Sequence, residues 1–511
     1  MAAFAEATES RAAVNSEVNI AVKQSAVWGM GGILLKAASF VMLPLYTHYL
    51  APSDYGIWEL LDLMMSLLGL VLNIGLTTAI LKYYAAASSN DERRRVISSS
   101  FLFAFVTGSM VYGIGCLLLP VLTHAFFGPG VSSVYLFLSF TFAVMAYVAT
   151  VPYTLMRAKD QVGLLVAYDT VGTVVILALN IYFVVVLKWG LLGVLLSPLL
   201  VGTLKTILIF YWTRHDIGLS IDPKCLRQLL VFGGPLLLSN LTMFVLNFSD
   251  RFFLREYRGL EIVGIYAIGY KFGYMLNFLL IQPFNMMWQA RMFVIHRQTD
   301  HEQIFRHMFV LYSLILIAGG LGLALFGPTA VHILVDHRYW GASAIIPIIA
   351  LAYIFLGAGF FLQAGMYLAA RTVLIGVVSA VASIATLILN YALIRPWGIT
   401  GAAWATLLGF FILAAGSYIF SQRVCALSLG LGRVLKALLL AIGVYAASIW
   451  MGVSGLWGEL LWKMALFGAF MGLVWLAGVL SSDEIATIES VKRSALRASS
   501  RWLKPAWLGR V

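Results

Sequence analysis

Charge is the scarcest property of this chain. Asp, Glu, Lys and Arg together make up 11% of its 511 residues, against roughly 25% in an ordinary soluble domain. That shortage excludes a soluble globular enzyme and leaves no folded basic surface for nucleic acid. Cysteine is almost absent. Cys116, Cys225 and Cys425 lie far apart, with no CxxC or CxxH spacing, so neither a disulfide framework nor a metal site is expected. The eight His are scattered and form no HExxH pair. There is no GxSxG elbow and no Walker A loop. No catalytic residue, cofactor or direct ATP coupling is therefore expected. Long polar loops are missing too: Thr213–Gln228, Arg291–Arg306 and Ser421–Arg433 are too short for a globular domain. Met1 to Lys23 lacks the basic, apolar and small-residue order of a cleaved leader and reads as a cytoplasmic arm.

What fills the chain is apolar. Hydrophobic residues reach 61%, and the mean hydropathy is +0.92. A bilayer-spanning helix needs roughly 17–25 mostly apolar residues. Runs of that kind occupy Trp28–Tyr49, Tyr55–Tyr83, Val96–Phe126, Val131–Met156, Gly163–Leu187 and Gly190–Trp212. They continue through Leu229–Leu254, Ile262–Ala290, His307–Val335, Trp340–Tyr367, Val373–Ile394 and Ile399–Phe420, then Val434–Val453 and Leu460–Leu480. The expected fold is an all-α polytopic membrane protein of about 14 transmembrane helices. Pro44, Pro152, Pro198, Pro235, Pro283 and Pro347 fall within spans and are expected to kink them.

The chain also starts over. Gly56 in Tyr55-Gly56-Ile57-Trp58 maps onto Gly264 in Val263-Gly264-Ile265-Tyr266. Trp189-Gly190 and Gly193 map at the same offset onto Trp397-Gly398 and Gly401, and Asn180 maps at nearly that offset onto Asn390. Marks recurring in one order at one spacing indicate an internal repeat. The expected organisation is a cytoplasmic arm (1–25), an N-terminal six-helix bundle (26–212), a cytoplasmic linker (213–228), a C-terminal six-helix bundle (229–421), two extra helices (432–480) and a basic cytoplasmic tail (481–511).

Orientation follows the basic residues. With the N-terminus inside, most of the 34 Lys and Arg fall on cytoplasmic segments, as the positive-inside rule requires. Only Lys188, Arg251, Arg255, Arg258, Arg338, Arg395 and Lys463 fall outside. Both termini are then cytoplasmic, and the net charge of +12 mostly reflects topology.

Ionisable groups at membrane depth are costly and each asks for a reason. Lys36 in the first span and Lys271 in the eighth are too deep to snorkel comfortably. They suit a cavity that receives an anion such as phosphate, or they pair with a carboxylate. Lys205, nearer the end of its span, is expected to snorkel. Asp250 and Arg251 close the seventh span, either reaching across to the other bundle as an outer gate or ending the helix as interfacial charges. Asp62 and Asp169 are proton or cation sites, or partners for a nearby Lys. Asn180, Asn247, Asn390 and the other membrane amides serve as interhelical glue or as hydrogen-bonding groups for sugar hydroxyls.

Three stretches carry a family resemblance: LPLYTHYLAPSDYGIWELLDL (Leu43 to Leu63), LKYYAAASSNDERRRVISSSF (Leu81 to Phe101) and SDRFFLREYRGLEIVGIYAIGYKF (Ser249 to Phe272). The last holds an Asp-Arg, a Gly-Ile-Tyr and a Tyr-Lys pattern. Through them the chain resembles the polysaccharide transporter branch of the multidrug/oligosaccharidyl-lipid/polysaccharide (MOP) exporter superfamily, and more narrowly a Wzx-type oligosaccharide flippase. The resemblance implies an undecaprenyl-pyrophosphate-linked oligosaccharide, flipped by alternating access across a bacterial inner membrane for O-antigen or exopolysaccharide assembly. It implies that Lys36, Lys271 and Arg251 attract the pyrophosphate. Asp62, Asp169 and Asp250 become candidates for gating or for coupling to H+ or Na+. A polysaccharide polymerase and a chain-length regulator are implied partners. An ion-coupled multidrug antiporter, a lipid II flippase and a membrane-embedded glycosyl ligase or polymerase stand as alternatives.

Overall fold

Every long element is helical. The structure is a computed structural model that describes residues 40–218, 220–450 and 455–481, and among these there is no strand. The N-terminal arm, Lys36, most of the first expected span and the tail beyond Ser481 lie outside the described residues.

Helix α1 (Leu43–Tyr49) is the end of the first span. The second is α2 (Pro52–Asn73) and α3 (Leu76–Ala86), broken at Ile74-Gly75, where both residues take positive φ. Then come α4 (Asn90–Phe127), α5 (Ser133–Ala158), α6 (Val162–Asn180, continued by a π-helical turn over Ile181–Val186) and α7 (Leu191–Thr213). The second half holds α8 (Pro223–Arg258), α9 (Leu260–Leu276, followed by a π-helical turn over Asn277–Ile281), α10 (Gln282–Ile295) and α11 (His301–Leu334). A 3-10 segment, His337–Ile345, leads into α12 (Ile346–Leu362), α13 (Ala364–Leu368) and α14 (Thr372–Val424); α15 (Leu431–Trp450) and α16 (Leu456–Leu476) follow. Among the described residues, 12 helical stretches are long and apolar enough to cross a membrane. Helix α14 is two spans joined at Gly398, whose backbone is non-helical. Counted so, the described residues hold 13 spans, and the first span expected from the sequence, which lies mostly outside the described residues, would bring the total to about 14.

Local chemistry sets the helix ends. Ser89 caps α4 by accepting from the Glu92 amide at 3.2 Å, while the Glu92 carboxylate accepts from the Ser88 amide at 2.8 Å, a close variant of the capping box. Asp222 caps α8 by accepting from the Lys224 and Cys225 amides, with Pro223 in the first turn. The linker before it is pinned to α4: the Gly218 amide donates to Ser98 Oγ at 2.7 Å and the Asp222 amide to Ser99 Oγ at 2.9 Å. Along α4, Val106, Met110, Ile114, Leu117 and Val121 form one exposed apolar stripe, which suits a helix face turned to lipid.

The repeat is present in the backbone itself. Gly190 has φ 54° and ψ −130°, and Gly398 has φ 57° and ψ −128°. These matching conformations are open to glycine and strained for other residues. Asn180 and Asn390 are both buried. Asn180 Nδ2 donates to the Tyr46 hydroxyl at 2.8 Å, and Asn390 Nδ2 donates to Ser249 Oγ at 3.0 Å. Each therefore ties the late part of one repeat to the first helix of that repeat. The two C-terminal helices, α15 and α16, follow the second copy.

By internal contacts the chain divides into two compact units. The first runs to Tyr270 and includes Ala330–Ile345 and Ser379–Gly409. In it α2 meets the second half of the chain twice. A β-carbon on Gly56 would strike the Leu260 carbonyl, and one on Gly264 would strike the Pro52 carbonyl. A β-carbon on Gly233 of α8 would strike the Ile74 carbonyl at the α2–α3 break. The end of this unit near Arg93, Arg94 and Arg95, all exposed, is its basic end. At the opposite end three arginines cap backbone carbonyls. Arg255 donates to Ala125 O at 3.1 Å, Arg258 to Arg395 O at 2.9 Å, and Arg338 to Thr47 O and His48 O at 3.0 Å each. Arg338 also hydrogen-bonds Asp336 and holds that carboxyl below its ordinary pKa.

The second unit comprises Lys271–Thr329, Ile346–Val378 and the chain from Phe410. Its core is aromatic: Trp288 stacks on Phe361 with centroids 4.2 Å apart, and Phe284 stacks on Tyr312 at 3.7 Å. Helix α16 is tied to the end of α11, where the Thr329 hydroxyl donates to Glu459 Oε1 at 2.7 Å and accepts from Lys463 Nζ at the same distance.

Candidate functional site

The first site is a buried cluster around Asp250 and Arg251. The sequence places this pair at the close of the seventh span, but α8 continues for about two further turns to Arg258, where Gly259 at φ 87° stops it. The pair is therefore interior, with side chains 2% exposed each. Arg251 Nη1 donates to Asp250 Oδ1 at 2.7 Å and to Asn247 O at 3.0 Å. Its Nε lies 3.7 Å from Glu59 Oε1 on α2, an ion-pair distance too long for a hydrogen bond. The guanidinium sits 3.7 Å from the Tyr270 ring centre, 5.1 Å from that of Tyr266 and 5.5 Å from that of Phe248, so three aromatic rings add to its stabilisation. Asp250 Oδ2 accepts from the Tyr266 hydroxyl at 2.5 Å and from Thr406 at 3.3 Å. One small network thus joins α2, α8, α9 and α14. The residues of the Ser249–Phe272 stretch converge here: Asp250, Arg251, Tyr266 and Tyr270 in the cluster, and Gly264 in the glycine contact beside Glu59's helix.

The second site is a cavity of about 430 Å³ bordered by α5, α6 and α7. Its charged lining is Arg157, Asp169 and Lys205, and its hydroxyl lining includes Thr150, Tyr153, Thr154 and Tyr168. Lys205 does not snorkel. Its Nζ donates to Asp169 Oδ1 at 2.8 Å and lies 4.2 Å from the Tyr168 ring centre. Gly172 makes the space for this, because a β-carbon there would press on the lysine stem. The Tyr153 hydroxyl donates to Asp169 Oδ2 at 2.7 Å, and the Tyr168 hydroxyl donates to Lys205 O at 2.7 Å. A partner on the neighbouring helix removes the need to reach the interface, since an ammonium at membrane depth can be stabilised by a carboxylate as well as by water.

The remaining expected residues are placed as follows. Lys36 lies outside the described residues. Lys271 is half-buried in the second unit, and Asp62 is exposed on α2. Among the described residues no three His, Cys, Asp or Glu side chains converge where a metal ion would sit. Sequence reasoning missed Glu59, Tyr266, Tyr270 and Thr406 in the first cluster and Tyr153 and Tyr168 in the second. The available signal for Glu59 was position: it lies one helical turn from Gly56, already marked by the repeat.

Known proteins supply the context. No curated protein matches the chain. In fold it is similar to "Lipid II flippase MurJ, inward closed conformation", with TM-score 0.70 and 13% identity, covering 90% of this chain and 100% of that one. It is also similar to an inward-facing multidrug resistance MATE family transporter of the MOP superfamily, with TM-score 0.61 and 15% identity, covering 76% of this chain and 94% of that one. A mutant of the Vibrio cholerae MATE transporter VcmN matches with TM-score 0.57 and 15% identity, covering 79% of this chain and 97% of that one. The family model described as polysaccharide biosynthesis protein matches residues 21–288, more than half of the chain. The chain belongs to the polysaccharide biosynthesis protein family, the polysaccharide transporter branch of the MOP superfamily, and is a multi-pass membrane protein with that superfamily's all-helical fold.

Proposed function

We propose that this protein is a flippase that moves an undecaprenyl-pyrophosphate-linked oligosaccharide from the cytoplasmic to the periplasmic leaflet of a bacterial inner membrane, for O-antigen or exopolysaccharide assembly. It acts as a transporter and not as an enzyme. Membership of the polysaccharide biosynthesis family supports the glycan cargo. The observation that supports the mechanism is the Glu59–Arg251–Asp250 cluster, which joins α2 to α8, α9 and α14 inside the first compact unit; on the proposed division α2 belongs to one bundle and α8, α9 and α14 to the other. On the proposed orientation, with the basic end cytoplasmic, this cluster lies toward the periplasmic side. Rocking of bundles 26–212 and 229–421 about the linker 213–228 would take it apart and remake it once per cycle. Broken, it would expose a guanidinium to the passing pyrophosphate. Lys36 and Lys271 are the further anion-attracting groups of this reading, and Asp62, Asp169 and Asp250 are its sites for gating or for coupling to H+ or Na+. A polysaccharide polymerase and a chain-length regulator would take the product.

A multidrug cation antiporter would call for a cavity dominated by acids. The cavity beside Asp169 is instead lined by two cations and one carboxylate. The test is complementation of a strain lacking its own flippase, with Lys36→Ala and Lys271→Ala compared with the parent protein at matched membrane levels. Restored surface polymer with the parent protein, and cytoplasmic build-up of lipid-linked repeat units with the variants, are the expected results. Failure of the parent protein to restore any polymer rejects the glycan-flippase reading.

A further inference from the structure

We infer that the cavity between α5, α6 and α7 is a docking site for the phosphate of a phosphate-headed amphiphile, in which Lys205 receives the anion and Asp169 is the counter-ion it displaces. The inference rests on the flippase reading for the identity of that amphiphile, the lipid-linked substrate, and not for the existence of the site.

Lys205 is built in rather than stranded. The Tyr168 ring lies beside its ammonium, the bare α-carbon of Gly172 leaves room for its stem, and its side chain, 26% exposed, lines the cavity. An ammonium has three N–H groups. One is taken by Asp169, and among the described residues the other two meet no hydrogen-bonding acceptor. The side chain that carries these donors lines the cavity, at membrane depth where an ammonium is costly without partners. A phosphate oxygen is the acceptor that a compact point charge of this kind takes best. The rest of the lining suits what an anionic head brings with it. Thr150 and Thr154 line the same cavity, their hydroxyls donating to the Ala146 and Thr150 carbonyls and presenting oxygen acceptors, and Phe142, Met145 and Ile176 supply apolar wall. At about 430 Å³ the cavity is in the size range of small-molecule sites. Asp169 accepts from both Tyr153 and Lys205, so when phosphate takes the lysine the carboxylate keeps the tyrosine hydroxyl as a partner.

The test uses the full chain in nanodiscs of phosphatidylcholine, titrated with undecaprenyl pyrophosphate as the probe. The variants are Lys205→Met, Lys205→Arg, Asp169→Asn and the charge-neutral double Lys205→Met/Asp169→Asn, which removes both members of the pair and so guards against misfolding. Loss of a charge-assisted hydrogen bond is expected to weaken binding by about tenfold or more in Lys205→Met and in the double variant. Lys205→Arg is expected to retain binding. Asp169→Asn is expected to bind more tightly than the parent, because no carboxylate competes for the lysine. Parent-like binding by the double variant, or no binding of the probe by the parent protein, overturns the site. Equal weakening by Asp169→Asn and Lys205→Met overturns the displacement and makes Asp169 a positioning residue. Competition by phosphatidylglycerol at equal mole fraction reassigns the site to bulk anionic lipid and overturns the substrate assignment. If Lys205→Met and the double variant bind normally while the parent protein restores surface polymer, the flippase reading stands and this site falls. If the parent binds the probe and Lys205→Met and the double variant do not, but the parent restores no polymer, the reverse holds.

Discussion

Gly56 and Gly264, equivalent positions of the internal repeat, pack directly against each other. Each leaves no room for a β-carbon, because a backbone carbonyl of the other helix's first turns occupies that place. The contact is reciprocal, as expected where an element meets its own repeat. It brings α2 and α9 to backbone contact, and this close approach accompanies the placing of Glu59 beside Arg251.

Gly56→Ala and Gly264→Ala are each expected to force the two helices apart, at a cost of about 1–3 kcal/mol. The double variant should cost less than the sum, since one separation accommodates both methyl groups. Thermal unfolding in detergent measures this; full additivity would show that the two glycines do not share one contact.

Arg251→Ala is expected to be more damaging, because it leaves Asp250 and Glu59 near each other in a buried site without their shared cation. Breaking such a pair by removing one partner costs about 3–5 kcal/mol. Arg251→Met combined with Asp250→Asn and Glu59→Gln removes every charge and should recover most of the loss in unfolding temperature while leaving export impaired. If the triple variant is as unstable as Arg251→Ala, shape and not charge governs the cluster.

Gly190→Ala and Gly398→Ala are expected to destabilise by similar amounts, about 1–3 kcal/mol each, since both force a β-carbon into the same unfavourable backbone region. Unequal effects in unfolding experiments would show that the shared conformation no longer carries shared energetics.

Asp336 provides a pH prediction. Its carboxyl is held below the ordinary value by the Arg338 side chain, so its contribution to stability is fully present above the unfolded pKa of about 3.9 and is lost as pH falls through the lower folded value. The unfolding temperature of Asp336→Asn should therefore fall less steeply on acidification than that of the parent protein. Identical acid limbs would place the acid-sensitive group elsewhere.

Much of the fold is legible in the sequence because it depends on one-dimensional properties. Span lengths follow from apolar runs, and the repeat follows from glycines that a duplicated backbone still requires. The stretch Ser249–Phe272 carries both the family resemblance and most of a charged cluster. The pairing of charges is not legible. Lys205 reads as a snorkelling residue because depth along a helix is a property of sequence, whereas its partner Asp169, on a neighbouring helix, is visible only once the two faces are packed. Glu59 gives way to Asp62 in the sequence reading for the same reason: the two are nearly one turn apart on α2, and only the approach of α8 distinguishes them.

The arginine caps at the end away from Arg93–Arg95 have a consequence for biogenesis. On the proposed orientation, Arg255, Arg258 and Arg338 must be carried to the far side of the bilayer during insertion, against the electrical preference that orients the rest of the chain. Their acceptors, Ala125, Arg395, Pro396, Thr47 and His48, lie on other segments. The acceptors of Arg255 and Arg338 precede the arginines in synthesis, but those of Arg258 follow it by more than a hundred residues. Until that later part of the chain is inserted, the end of α8 carries on this orientation a translocated charge without its final acceptors.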